Sequence, residues 1–141
     1  MRFFVVLMAA VFTLGGCTKH KLEKFNNRIV GNWNIVEINT FGLGSSHIVF
    51  NGGFFSFRQD NSAVYYDRNN EAYYGNWYID AYTYTDEDGD SETEFILTID
   101  VSNEHYSKYD RLEIPSFGNN NRFKAKVYNS LNTVTYIFER K

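Results

Sequence analysis

The sequence predicts an all-β chain built as a single eight-stranded antiparallel sheet. Three observations carry this: apolar residues recur with period two from Ile29 onward, turn residues interrupt them at short intervals, and no stretch beyond Ile29 shows a helical stripe. Eight sequential antiparallel strands can close as an up-and-down β-barrel, which removes the two edges that an open sheet exposes. A β-sandwich is the alternative architecture.

The first strand is expected over residues 29–39. Reading Asp60-Asn61 as a two-residue turn sets Arg58 opposite Ala63, Phe57 opposite Val64 and Phe55 opposite Tyr66. Reading Asn69-Asn70 the same way sets Arg68 opposite Glu71, Tyr66 opposite Tyr73 and Val64 opposite Gly75. Phe55, Phe57, Val64, Tyr66, Tyr73, Gly75, Trp77 and Ile79 then face inward, while Tyr65, Tyr74 and Tyr78 face outward. A further strand alternates Phe95, Leu97, Ile99 and Val101 with Glu94, Ile96, Thr98 and Asp100, and a weaker one ends at Leu112 and Ile114 before Pro115. The loop 129–132 pairs Val127 with Val134, Ala125 with Tyr136 and Phe123 with Phe138. On the other face this register sets Arg122 against Glu139, a cross-strand pair contributing about 0.2–1 kcal/mol.

Ahead of the sheet, Arg2 precedes an apolar run over residues 3–14 and two glycines before Cys17. That order reads as a secretory signal over residues 1–16, and it is shorter than the roughly 20 apolar residues needed to span a bilayer. Leu14-Gly15-Gly16-Cys17 resembles the lipobox of bacterial lipoproteins. The resemblance implies cleavage before Cys17 and acylation of its sulfur with palmitate-type chains. Thr18 lacks the aspartate that retains some lipoproteins at the inner membrane, so the resemblance points to the outer membrane. Residues 17–28 read as the lipidated cysteine and a basic tether, with Leu22 and Phe25 spaced for one helical turn, and residues 29–141 as the folded domain.

Aromatic residues make up 18% of the chain against one proline, which excludes a disordered tail. Six of the 17 acidic residues lie in residues 86–94, and no basic stripe marks a nucleic-acid surface. Cys17 is the only cysteine, so no intramolecular disulfide forms.

Gly31-Asn32-Trp33, a G-x-W opening a β-meander, resembles the first strand of lipocalin-like domains found in Bacteroides-group lipoproteins; the likeness covers about residues 28–141. It implies that Gly31 and Trp33 belong to the barrel-closing floor, that Arg140 packs across Trp33, and that residues 41–50 form a loop over the open end. The Thr-Asp-Tyr signature of well-characterised lipocalins is absent; the nearest element, Tyr109-Asp110, has the reverse order.

The chemistry of an enzyme is not found in the pattern. His20, His47 and His105 form neither an i, i+4 pair nor a zinc cluster, and residues 42–46 lack both the phosphate-loop ending and the nucleophile elbow. Asp86, Asp88 and Asp90 fit positions 1, 3 and 5 of a calcium loop, but Ser91 stands at the glycine position and Leu97 at the closing glutamate. No cofactor or metal is expected. The sequence therefore points to a non-enzymatic, membrane-anchored protein that takes a small apolar or amphipathic ligand among Phe55, Phe57, Val64, Tyr66, Tyr73, Gly75 and Trp77. The alternative is an envelope interaction module with a filled core and a tyrosine face that docks a protein.

Overall fold

The structure, a computed structural model, describes residues 15–115 and 117–141, and side chains from residue 19. Most of the expected export segment, residues 1–14, and the Cys17 side chain lie outside the described residues.

Helix α1 (Gly15–Ile29) leads into nine described strands: β1 (Gly31–Gly42), β2 (Phe54–Phe57), β3 (Ser62–Tyr66), β4 (Ala72–Thr85), β5 (Ser91–Ser102), β6 (Ser107–Glu113), β7 (Phe117–Asn119), β8 (Arg122–Tyr128) and β9 (Asn132–Arg140). All pair antiparallel in one sheet of order β6-β5-β4-β3-β2-β1-β9-β8-β7, and β6 meets β8 to complete a ring. That last contact is a single bridge, Glu113 to Lys126. The ninth strand is the short β7, and the first strand starts at Gly31 because Ile29 ends the helix.

The segment expected as a tether is helical throughout its described length. Leu22, Phe25 and Ile29, spaced i, i+3 and i+7, line one helix face, and Ile29 is fully buried. Phe25 stacks on Phe95 at 4.1 Å and meets Phe117 edge-on at 5.1 Å. The helix thus packs against the core at the end of the ring where β1 begins. No described helix is long and apolar enough to cross a membrane.

The C-terminal hairpin has the expected register, with Arg122 and Glu139 paired at 2.9 Å. The two middle hairpins do not. Phe57 pairs with Ala63 and Phe55 with Tyr65, and then Tyr65 pairs with Tyr73 and Ala63 with Gly75. Each turn has three residues, not two, and ends on an asparagine in the left-handed region, Asn61 at φ 65° and Asn70 at φ 64°. Asp60 and Asp67 stabilise the loops by accepting backbone N–H groups of Ser62, and of Asn69 and Glu71. Each extra residue shifts the register by one. The first slip turns β3 over, bringing Tyr65 inside and sending Val64 and Tyr66 outside; the second restores β4, so Tyr73, Gly75 and Trp77 face inward.

Candidate functional site

The interior is one continuous core of aromatic and aliphatic side chains. Phe55, Phe57, Tyr73 and Trp77 lie in it, as expected for inward positions, but they pack on one another and on neighbouring rings. Phe55 stacks on Phe57 at 5.0 Å and on Tyr65 at 4.6 Å, Phe57 meets Trp77 edge-on at 5.6 Å, and Trp77 donates its indole N–H to the Arg58 carbonyl. Gly75 leaves no space: a Cβ there would lie 2.0 Å from the Asp100 carbonyl oxygen, so its role is to let β4 and β5 approach. Val64 and Tyr66 belong to the opposite face, where Tyr66 stacks on Phe54 at 4.6 Å. Tyr65, expected outside, is fully buried and donates its hydroxyl to the Gly52 carbonyl at 2.6 Å.

At the helix end of the ring, Trp33 is fully buried, donates its indole N–H to the Ile29 carbonyl at 2.7 Å, and meets Phe123 edge-on. The guanidinium of Arg140 lies 4.3 Å from the Trp33 ring centroid and donates to the carbonyls of Arg28 and Val30. Gly31, at φ 137°, makes room for that guanidinium, since a Cβ there would lie 2.3 Å from Nη1.

At the other end, residues 43–53 fold over the ring and drop Phe50 into the core, where it meets Phe55 and Tyr65 edge-on. Pairing of β5 with β6 sets Lys108 opposite Val101 and Asp110 opposite Ile99, so both charges share the inward face. Lys108 donates to the Val49 carbonyl at 3.4 Å and lies 5.0 Å from the Tyr73 ring centroid. Burial pushes the Asp110 carboxyl up, partly countered by the Arg111 amide and by His47. Burial also pushes Tyr136 up to about 12; its hydroxyl has no hydrogen-bond partner among the described residues. Sequence reading missed these inward charges because a polar residue at an inward position looks like a break in the strand. They suit an edge-like strand, since inward charge and the Asp110 bond to the Arg111 N–H discourage further pairing of β6.

Among the clefts lined by described residues, one reaches the edge of the core at Trp77 and another at Phe123, and the others are lined by outer-face and loop residues. A tyrosine-bearing cleft of about 340 Å³ lies on the outer face at the β6–β8 seam and is lined by Tyr82, Glu94, Ile96, Arg111, Glu113, Lys126, Val127 and Tyr128. It adjoins a row of exposed tyrosines on alternate positions of β4: Tyr74, Tyr78, Tyr82 and Tyr84. Arg111 donates to the Tyr82 hydroxyl at 3.1 Å, and Tyr84 donates to Glu92 at 2.8 Å. That bond to Glu92 pushes Tyr84 up to about 12. Glu113 is raised by burial and then by neighbouring Glu94. Thr98, between its cross-strand neighbours Tyr78 and Arg111, is buried, and its hydroxyl has no hydrogen-bond partner among the described residues. Tyr74 and Tyr78 were legible as outward positions; Tyr82 and Tyr84 follow from the same alternation carried past Ile79.

The outward residues of β4, β5 and β6 include Asp80, Glu92, Glu94, Asp100 and Glu113 against one cation, Arg111. The adjoining turn adds Asp86, Glu87, Asp88 and Asp90. Asp86 there accepts the N–H groups of Asp88 and Asp90, closing the turn with its carboxylate. Among the described residues, no three His, Cys, Asp or Glu side chains are grouped to hold a metal ion. No protein-family model, curated protein or solved structure matches this chain.

Proposed function

We propose that this chain is a non-enzymatic interaction module of the cell envelope, a lipocalin-like β-barrel anchored in the outer membrane by lipid on Cys17. Its working surface is the acidic tyrosine face of β4, β5 and β6, and its partner is a protein that brings basic side chains. The observation that carries this reading is the exposed row Tyr74, Tyr78, Tyr82 and Tyr84 on a ring whose interior is filled. Tyrosine and arginine are enriched where proteins meet, because a rigid ring gives contact area at little entropic cost and its hydroxyl still pairs. Here nine carboxylates surround them, and such a field favours and steers a cationic partner.

The reading in which a small apolar ligand enters the barrel has less support. Its proposed residues are divided between the core and the outer face, and those in the core touch one another. The anchor rests on the signal-like pattern before Cys17, and the helical packing of Leu22 and Phe25 would then hold the domain close to the membrane.

Crosslinking followed by capture from the envelope of the host tests the proposal. Replacing Tyr74, Tyr78 and Tyr82 together by serine should abolish the captured partner, whereas Tyr106→Ser, at a still more exposed tyrosine in the turn between β5 and β6, should leave it. Equal capture by both variants would contradict the reading.

A further inference from the structure

The ring closes at one seam, where β6 and β8 share a single bridge, Glu113 to Lys126. Past that bridge the Arg111 N–H donates to the neighbouring Asp110 carboxylate, the strands part, and the cleft of about 340 Å³ opens between them. Val127 shows that the wall is open here. It follows Phe123 and Ala125 on the inward side of β8, yet it lines this outer cleft together with Ile96 of β5. Tyr82 of β4 and Tyr128 of β8 come from either side of the seam, so ring and aliphatic surface border one space. Charges of both signs border it too, two carboxylates from Glu94 and Glu113 and two cations from Arg111 and Lys126. They do not neutralise one another. Arg122 and Glu139, paired across β8 and β9, close to 2.9 Å, but among the described residues no ion pair joins the four charges of the cleft, although Glu113 and Lys126 are direct cross-strand partners. Arg111 instead donates to the Tyr82 hydroxyl at 3.1 Å. Glu113 is pushed up by burial and by Glu94 more than Lys126 and the Tyr128 hydroxyl pull it down, so its own neighbours leave this carboxylate under-compensated. On the same outward face Thr98 lies buried beside Arg111, its hydroxyl unpaired among the described residues.

We infer that this seam cleft binds a small zwitterion with an aromatic or branched apolar side chain, an α-amino acid either free or within a short peptide. Its ammonium goes to Glu94 and Glu113, its carboxylate to Arg111 and Lys126, and its side chain lies against the tyrosine rings and Val127. The mixed charge selects this class. A lone cation would meet Arg111 and Lys126, and a lone anion would meet Glu94 and Glu113. A neutral apolar ligand would cover four charges and pair none of them. A ligand that carries both signs answers each pair with its opposite, and charge-assisted hydrogen bonds of that kind are the strong ones. The aromatic sides also favour an ammonium, which is attracted to the face of a ring. At the Arg111 end, the Thr98 hydroxyl supplies a donor for the carboxylate. The volume stands at the lower end of the range for small-molecule pockets, about 300–1,000 Å³, which suits an amino acid or a short peptide. The site does not rest on the protein-docking reading of the tyrosine row, with which it shares Tyr82 alone.

Isothermal titration calorimetry of the purified protein tests this with four probes of one shape: L-phenylalanine, the dipeptide L-phenylalanyl-L-alanine, 2-phenylethylamine and 3-phenylpropanoate. Saturable binding of at least one zwitterion is expected; the amino acid binding alone assigns a free amino acid, and the dipeptide binding more tightly assigns a peptide. The amine and the acid, each lacking one charge, should bind about tenfold more weakly or worse. Glu113→Gln and Lys126→Gln, close in shape and on the outer face, should each weaken the zwitterion by a similar factor without changing the melting temperature, whereas Tyr74→Ser with Tyr78→Ser should leave it bound. Lost protein capture with zwitterion binding intact would therefore count against the docking reading alone. Neither zwitterion binding, or single-charge analogues binding as tightly, would overturn the inference on the unaltered protein. So would zwitterion binding indifferent to Glu113→Gln and Lys126→Gln.

Discussion

Arg140 lies 4.3 Å from the centroid of Trp33 and is tied by its two terminal nitrogens to the carbonyls of Val30 and Arg28. The last strand therefore locks the junction between α1 and β1, from the far end of the sequence. Arg140→Ala should cost about 1–3 kcal/mol in urea unfolding, from the lost cation–π contact and charge-assisted hydrogen bonds. Arg140→Lys keeps the charge but not the fork, and should fall between the two. Gly31→Ala should match or exceed the alanine variant, because it both strains φ and displaces the guanidinium.

Phe50 is the only side chain of the covering loop that is fully buried. Phe50→Ala should destabilise the fold by about 3–5 kcal/mol, the usual cost of leaving a cavity of aromatic size. The same variant should gain affinity for a small apolar probe such as benzene, measurable as a rise in melting temperature absent from the parent chain. A probe effect of equal size in the parent would show that the interior already has room.

The register of β3 separates two neighbouring tyrosines. Tyr65→Phe should cost about 1–2 kcal/mol by leaving the Gly52 carbonyl without its donor, whereas Tyr66→Phe should stay within about 0.5 kcal/mol. The reverse order would restore the two-residue turns.

Asp110 gives the stability a defined pH dependence. Its folded-state pKa is raised, chiefly by burial, so the folded state holds the proton more tightly than the unfolded chain does. Stability from this group is complete below the ordinary carboxylate range, near 3.9, and is lost as pH rises through the raised value. Asp110→Asn, neutral and still able to accept from the Arg111 N–H, should raise the melting temperature at pH 7 and leave it unchanged near pH 3. A loss at pH 7 with no change near pH 3 would mean that the carboxylate is favourably paired.

How far the sequence could be read depended on what each stretch offered to arbitrate its register. At the C-terminus, Arg122 and Glu139 meet only in one register, so charge and apolar pairing agreed with the structure. In β3 the run Ala63-Val64-Tyr65-Tyr66 is apolar at every position, and alternation cannot say which side faces in. Asp60-Asn61 and Asn69-Asn70 suit a two-residue turn as well as the second half of a three-residue one, and the choice rests on a single left-handed asparagine in each. Because the two slips cancel, Tyr73 and Trp77 were still placed correctly while Tyr65 and Tyr66 were exchanged. Helix α1 left little trace, having three apolar anchors among lysines, and its stability comes from Phe95 and Phe117 far along the chain. Lys108 and Asp110 lay hidden for the same reason: their inward direction follows from pairing with β5, not from their own chemistry.

The tyrosine face is the proposed working surface, and the measurement that tests it most directly is photo-crosslinking in the living host from an unnatural residue placed at position 78. One discrete protein adduct is expected from position 78, and again from position 82, with none from position 106. Absence of any adduct from positions 78 and 82, together with a small apolar molecule retained by the folded protein in native mass spectrometry, would contradict it and return the function to the interior.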